Sequence, residues 1–263
     1  MSVAAPIVTV LVAWFLATGG VLWLAWRREA EHPPILVGLT ALAALGFAAM
    51  LAGGGLEPAP GAYLTFAGVL AAWAWAEFAF LSGTVTGTRR EPCPEDADRS
   101  LRFRLAFRTV NLHEYALLAL VVGSALASMA VGRPDALIYM GTLWIMRVSA
   151  KLTLFDGAPR FSSDLLPHRL AHMETYFRRD RVGPIFWFST VASTLFVAGA
   201  TLALATGTVA ESYTVTLCLT LTLVALAALE HWLMVLPVRD SRLWSWAVPR
   251  HAGVAEPAAV KGT

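Results

Sequence analysis

The chain has 263 residues, 57% of them hydrophobic and only 14% charged, with a formal net charge of +2. Soluble domains carry about 25% charged residues, so this balance excludes an ordinary soluble domain, and a mean hydropathy of +0.61 points to a polytopic membrane protein. Cys93 and Cys218 lie too far apart in sequence to suggest a disulfide framework or a CxxC metal site.

A spanning helix needs about 20 mostly apolar residues. Seven runs qualify: 5–26, 35–54, 62–82, 112–131, 136–155, 184–206 and 212–236. The first has no basic segment before it and no A-x-A site after it, so it reads as a retained helix and not a signal peptide. The fifth is the weakest, because Arg147 and Lys151 interrupt it. Leu101, Leu105 and Leu112 predict that the fourth helix begins early, near Glu95-Asp96.

The connections alternate. Basic residues follow the odd runs: Arg27 and Arg28, then Arg89 to Arg108, then Arg160 to Arg181, then Arg239, Arg242, Arg250 and Lys261. The turns after the even runs are short and hold no base except Arg133. Short basic loops stay in the cytoplasm. The expectation is an all-α integral membrane protein with seven transmembrane helices, its N-terminus periplasmic and its C-terminus cytoplasmic. Residues 1–250 form one domain and 251–263 a disordered tail. Within the third basic segment, Asp164 as N-cap and Pro167 in the first turn predict a surface helix over 164–179. Leu166, Leu170, Met173 and Phe177 would share its apolar face, with His168, Arg169, His172 and Arg179 opposite. Trp23, Trp26, Trp244 and Trp246 suit interfacial anchoring.

Seven polar groups interrupt these runs: Glu77, His113, Glu114, Arg147, Lys151, Glu230 and His231. With the topology above, all seven fall in the cytoplasmic leaflet. An ionised side chain in the hydrocarbon core costs about 2.5–3.5 kcal/mol at least, so these should turn inward and pair. Adjacent helical residues point about 100° apart, so Glu230 and His231 cannot aim at one point without a wide cavity. Several readings stay open. His113-Glu114 could cap its helix at the interface. Glu77–Arg147 or Glu230–Lys151 could be structural pairs. The carboxylates and imidazoles could hold a metal, although bundle di-metal sites use Glu-x-x-His spacing, absent here. His113 or His231 could ligate a tetrapyrrole metal, with Trp75, Phe78, Phe80 and Trp232 about the ring.

Other patterns carry less. His168-x-x-x-His172 lacks the Glu of H-E-x-x-H. Gly83-x-x-x-Gly87 sits at a helix exit and reads as a turn, not a dimerisation face. No phosphate-binding fingerprint occurs, and the basic loops fit anionic lipid better than nucleic acid.

Several segments together carry a resemblance: 75–94 around Trp75-Ala-Glu77 and Cys93, 102–114 leading to His113-Glu114, 151–155, 176–179, and 229–237 around Glu230-His231. In this ordered set the chain resembles the photosynthetic complex assembly proteins of purple phototrophic bacteria, the PuhE family, encoded near the reaction-centre H subunit. That resemblance implies a multi-pass protein of the bacterial inner (intracytoplasmic) membrane. It also implies a part in building the reaction centre and core antenna, whose subunits would be partners, or in supplying bacteriochlorophyll to them. It supplies no catalytic residues. Relatives often carry Trp-His-Glu where this chain has Trp75-Ala76-Glu77, which leaves Glu77 as the matching group. The expectation is a non-enzymatic assembly factor that binds or passes bacteriochlorophyll or a precursor. His113 and His231 would be ligands, and Glu77, Glu114, Glu230, Arg147 and Lys151 would orient them and balance charge. The rival is a membrane-embedded metal-dependent enzyme acting on a tetrapyrrole or isoprenoid. A third class is a scaffold with the polar cluster as interhelical glue.

Overall fold

The computed structural model describes residues 3–161, 165–238 and 243–248. Asp164, Arg239, Arg242, Arg250, Lys261 and the expected tail 251–263 lie outside the described residues. Among the described residues there is no strand, and each apolar run is a helix. These are α1 (Ala4–Ala25), α2 (His32–Gly54), α3 (Pro58–Leu81), α4 (Arg99–Val131), α5 (Asp135–Asp156), α6 (Pro184–Ala205) and α7 (Glu211–Leu233). Their ends follow local chemistry. Prolines occupy the first turns of α2, α3 and α6, where the missing N–H costs nothing. Asp98 caps α4 by accepting from Leu101 N at 2.6 Å, and Gly132 closes it at φ 68°, a left-handed conformation that favours glycine.

Six of the helices are long and apolar enough to cross a membrane. The exception is α5, which carries Asp135, Arg147, Lys151 and Asp156. It is nonetheless 22 residues long and packs among α3, α4, α6 and α7. At 33 residues α4 is about 50 Å long, well beyond a hydrocarbon core of about 30 Å.

Two ends of the bundle can be told apart by their polar contacts. At the short-turn end Arg133 pairs with the buried Asp135 at 2.7 Å and reaches the carbonyl of Pro58 at 3.1 Å. Thr216 of α7 donates to the other Asp135 oxygen at 2.9 Å. Arg133, the one base out of step with the charge pattern, therefore has a buried carboxylate of its own. At the long-loop end the buried Asp156 receives Arg99 at 3.0 Å and the Ile185 N–H at 3.2 Å, joining α5 to the starts of α4 and α6. Arg169 gathers three more helix ends. It donates to His32 Nδ1 at 2.9 Å, to the Ser82 carbonyl at 3.1 Å and to the Ala25 carbonyl at 3.4 Å. Thus α1, α3, α5 and α7 all run toward the long-loop end.

The tightest seam joins α2 to α3. A Cβ at Gly46 would lie 2.5 Å from the Gly68 carbonyl oxygen, and Gly61 faces the Gly53 carbonyl just as closely. Lipid tails give helices no hydrophobic reason to associate, so close backbone approach through small residues supplies the contact. The core beside the seam is Met50, Phe66, Val69, Leu117, Tyr139 and Leu219, all nearly fully buried.

The expected surface α-helix over 164–179 is instead a 3-10 helix, His168–Tyr176. Its apolar residues explain the difference. Leu170, Met173 and Tyr176 recur every third residue, and a 3-10 helix stacks i and i+3 in one row. All three are buried. Leu170 and Met173 pack with Phe80, Val110 and Phe177. Arg169, expected on a solvated face, turns inward to the helix ends described above. The Gly83–Gly87 stretch is a turn, with Gly83 at φ 76°, and it docks on the side of α4. His113 N–H donates to the Thr86 carbonyl at 2.9 Å, and Arg89 N–H to the Arg108 carbonyl at 3.0 Å. Gly87 lies so close to the backbone of Arg108 and Thr109 that no side chain fits.

Candidate functional site: a cavity belted by charge

Along α3 one row of side chains, Phe66, Leu70, Trp73, Glu77 and Phe80, faces away from the glycine seam and onto a cavity of about 710 Å³. The facing walls come from α1, α4, α5 and α7, from Phe161 and from residues between 165 and 177. Such a volume lies within the range of about 300–1,000 Å³ typical of small-molecule sites.

The polar residues in the wall form a belt. Arg147 and Lys151 are four apart on α5 and therefore share a face. Arg147 Nη2 donates to Glu77 Oε2 at 2.7 Å, and Lys151 Nζ donates to Glu114 Oε1. On the opposite wall Trp14 Nε1 donates to Glu230 Oε1 at 2.9 Å. Five of the seven predicted groups thus line one cavity. The Glu77–Arg147 pairing matches one expected from sequence. Lys151 pairs with Glu114 and not with Glu230. Two atoms of the belt are unsatisfied: Glu77 Oε1 and Arg147 Nε are buried without a hydrogen-bond partner.

The two histidines lie elsewhere. His231 turns away from its neighbour Glu230, as their angular separation requires, into the interface of α5, α6 and α7. Its Nδ1 lies 2.7 Å from the Ala227 carbonyl, an acceptor only, and so donates to it. Ser149 Oγ lies 2.9 Å from Nε2 and 2.6 Å from Ser189 Oγ. That chain of hydrogen bonds ties three helices and employs both ring nitrogens. His113 is completely buried, with its ring 4.6 Å from that of Phe80 and neither nitrogen hydrogen-bonded. It does not line the cavity. Of the aromatic residues expected around a pigment, only Phe80 lines the wall. Trp75 donates to Thr40 of α2 at 3.0 Å, Phe78 packs on His32, and Trp232 packs on Phe186.

Donor geometry bears on the metal-enzyme alternative. Among the described residues no three His, Cys, Asp or Glu side chains gather closely enough to share a metal ion. The belt puts each acid beside a cation or an indole N–H.

Sequence reasoning missed three features. Trp14 sits in an unbroken apolar run and gives no signal of its partner. Trp244, expected at the interface, is buried against Trp14 and Phe15 at ring separations of 5.3 Å each and lines the cavity. His172 has a partly buried ring with Nε2 unpartnered. Burial, then the nearby Arg90 guanidinium, holds its pKa below the ordinary histidine value.

The fold and site together define a class: a multi-pass helical membrane protein whose bundle encloses a large apolar cavity belted by ion pairs. Within that class the chain belongs to the DUF3623 family, a protein of unknown function, which it matches over residues 1–255. It is 34% identical over 252 residues to a Rhodobacter capsulatus protein designated "Uncharacterized 30.4 kDa protein in puhA 5'region", covering 94% of this chain and 92% of that relative. No solved structure matches the chain.

Proposed function

We propose that this protein is an assembly factor for the photosynthetic reaction centre and core antenna, working in the bacterial inner membrane, and that its cavity holds bacteriochlorophyll or a precursor in transit. The observation that carries the photosynthetic half is the location written into the relative's designation, the region 5' of puhA, a photosynthesis gene. The cavity supports the second half. It is large enough for a cofactor-sized ligand, mostly apolar, and provides a few fixed polar groups, the usual make-up of a small-molecule site.

In this reading all seven helices span the bilayer, with the N-terminus periplasmic and the C-terminus cytoplasmic. The long-loop end, where most of the arginines sit, faces the cytoplasm, and Arg133, the one base in the short turns, is paired with Asp135. Glu77, Glu114, Glu230, Arg147 and Lys151 are the binding groups. Arg147 and Lys151 donate to carbonyl or ester oxygens, and the acids hold those donors in place. The fit is to the periphery of the pigment and not to its magnesium. Among the described residues no imidazole lines the cavity wall. His231 is committed to Ala227 and Ser149, and His113 lies outside the wall.

The test is a clean deletion of the gene in a phototrophic host, followed by near-infrared spectra of the membranes. Loss of reaction-centre and core-antenna bands, restored by the wild-type gene, is the expected result. Unchanged bands would overturn the assembly role.

A further inference from the structure

We infer that the cavity is reached from the side: an anionic amphiphile of the leaflet at the long-loop end passes its hydrocarbon chain between α4 and α5 and leaves its head group on Arg104 and Arg108. The inference does not rest on the pigment reading. It concerns how the cavity is entered and what chemistry is met at the entrance.

One flank of α4 locates the entrance. Phe103, Phe107, Val110 and Glu114 recur at i, i+4, i+7 and i+11 and so form one stripe along the helix, and all four line the cavity. Glu114 accepts from Lys151 of α5, and Phe103 meets the Phe155 ring edge-on at 5.3 Å. The stripe therefore faces α5, with Phe107 between those two contacts. Of the described residues in the cavity wall, Phe103 and Phe107 are the most exposed, at 47% and 42%. The wall thus comes to the outside of the bundle along one turn of α4. The neighbouring face of that helix is covered, because the Gly83–Gly87 turn sits on it with Gly87 against the backbone of Arg108 and Thr109.

Depth says what lies outside. Measured along α4 from Val131, Phe107 is about 36 Å away and Phe103 about 42 Å. The hydrocarbon core is about 30 Å thick, and the bilayer with its head groups about 40–45 Å. Both rings therefore lie at the head-group layer of the leaflet at the long-loop end, and an opening there meets lipid.

The rim supplies the chemistry. Arg104 and Arg108 are four apart and share the outward face of α4 beside the stripe. Both are exposed, and no described side chain pairs with either. Arg102, by contrast, turns inward and donates to the carbonyls of Phe155 and Tyr176. Two free guanidiniums bind a carboxylate or phosphate. Behind them the mixed aliphatic and aromatic wall accepts a chain.

The experiment uses the full-length protein in phosphatidylcholine vesicles. Two photoactivatable probes are compared, palmitate and hexadecanol, each with a diazirine near the far end of its chain. Adducts are mapped by peptide mass spectrometry. Palmitate should label the cavity residues Leu70 and Leu226 at least about fivefold more than the alcohol does, the order expected for one arginine at a charged lipid head. Arg104→Gln/Arg108→Gln should remove that advantage and leave labelling of the exposed Phe188 and Leu195 of α6 unchanged. A bulky maleimide on Phe107→Cys, made in a Cys93→Ser chain, should abolish cavity labelling by both probes, and Phe103→Cys serves should the first variant fail to fold. Cavity labelling that survives the maleimide would overturn the side entrance. Equal labelling by acid and alcohol, or no effect of Arg104→Gln/Arg108→Gln, would overturn the head-group assignment. Labelling confined to α6 would overturn the whole inference, while the deletion phenotype would still decide the assembly role.

Discussion

The two faces of α3 solve the same membrane problem in opposite ways. Toward α2 the helix presents Gly61, Thr65 and Gly68, and the backbones close until carbonyl meets glycine. Toward α5 and α7 it presents Phe66, Leu70, Trp73 and Glu77, and the helices stay apart around a cavity. On the first face stability comes from dense van der Waals contact. On the second, packing such as Phe66 on Tyr139 gives way toward the long-loop end to the cavity, and ion pairs such as Glu77–Arg147 join its walls. A residue here is replaceable or not according to which of those two jobs it does.

The largest expected effect is on the closed face. Gly68→Val sets a side chain against the Gly46 backbone, and backbone on both sides leaves nothing to move aside. The cost should be about 3 kcal/mol or more, read as loss of folded protein in a denaturant titration in detergent. A variant that folds normally would break the distinction between the faces.

The cavity face should be more forgiving. Glu77→Ala leaves the Arg147 guanidinium facing apolar walls and should cost about 1–3 kcal/mol. That is below the value for a pair deep in a soluble core, since Arg147 is a third exposed and polar contacts in membranes measure weak. The Glu77→Ala/Arg147→Ala double variant should cost less than the sum of the two single changes, the mark of a coupled pair. Strict additivity would mean that the belt is not held by pairing. Trp14→Phe keeps the aromatic bulk and removes one donor to Glu230, a loss of about 1 kcal/mol in the same titration.

The smallest effect lies outside the membrane. His172 is held below its ordinary pKa, so the unfolded chain takes up a proton that the folded chain refuses. Stability should be level above about pH 6.5. It should fall as pH drops through that value and level off again below the lowered native value. His172→Gln should flatten that acid-side slope in thermal midpoints taken between pH 8 and pH 5.

Much of this architecture is legible in the sequence because lipid imposes a strict rule. Every backbone polar group must be satisfied within the segment, so an apolar run in this setting becomes a helix. The Glu77–Arg147 pairing follows from a similar constraint, the cost of charge in hydrocarbon. What sequence order does not carry is rotation about the helix axis and the identity of neighbours. On paper Glu230 is the expected partner of Lys151, and only helix placement gives it to Glu114. His113 reads as a ligand because histidine in a membrane run is unusual, yet its ring falls beside Phe80 and outside the cavity wall. Over 164–179 an α-helical period and a period of three overlap across so few residues that the apolar pattern alone does not separate them.

Arg169 sets an order for biogenesis. The carbonyls of Ala25 and Ser82 and the ring of His32 leave the ribosome more than 80 residues before the side chain that joins them. The first three helices must therefore enter the bilayer with their loop-side ends unlatched. Until that arginine emerges, the latch between those ends is missing. Its arrival clasps three ends at once, so a ribosome stalled before residue 169 would leave an inserted protein with an unclosed end, a ready substrate for membrane quality control.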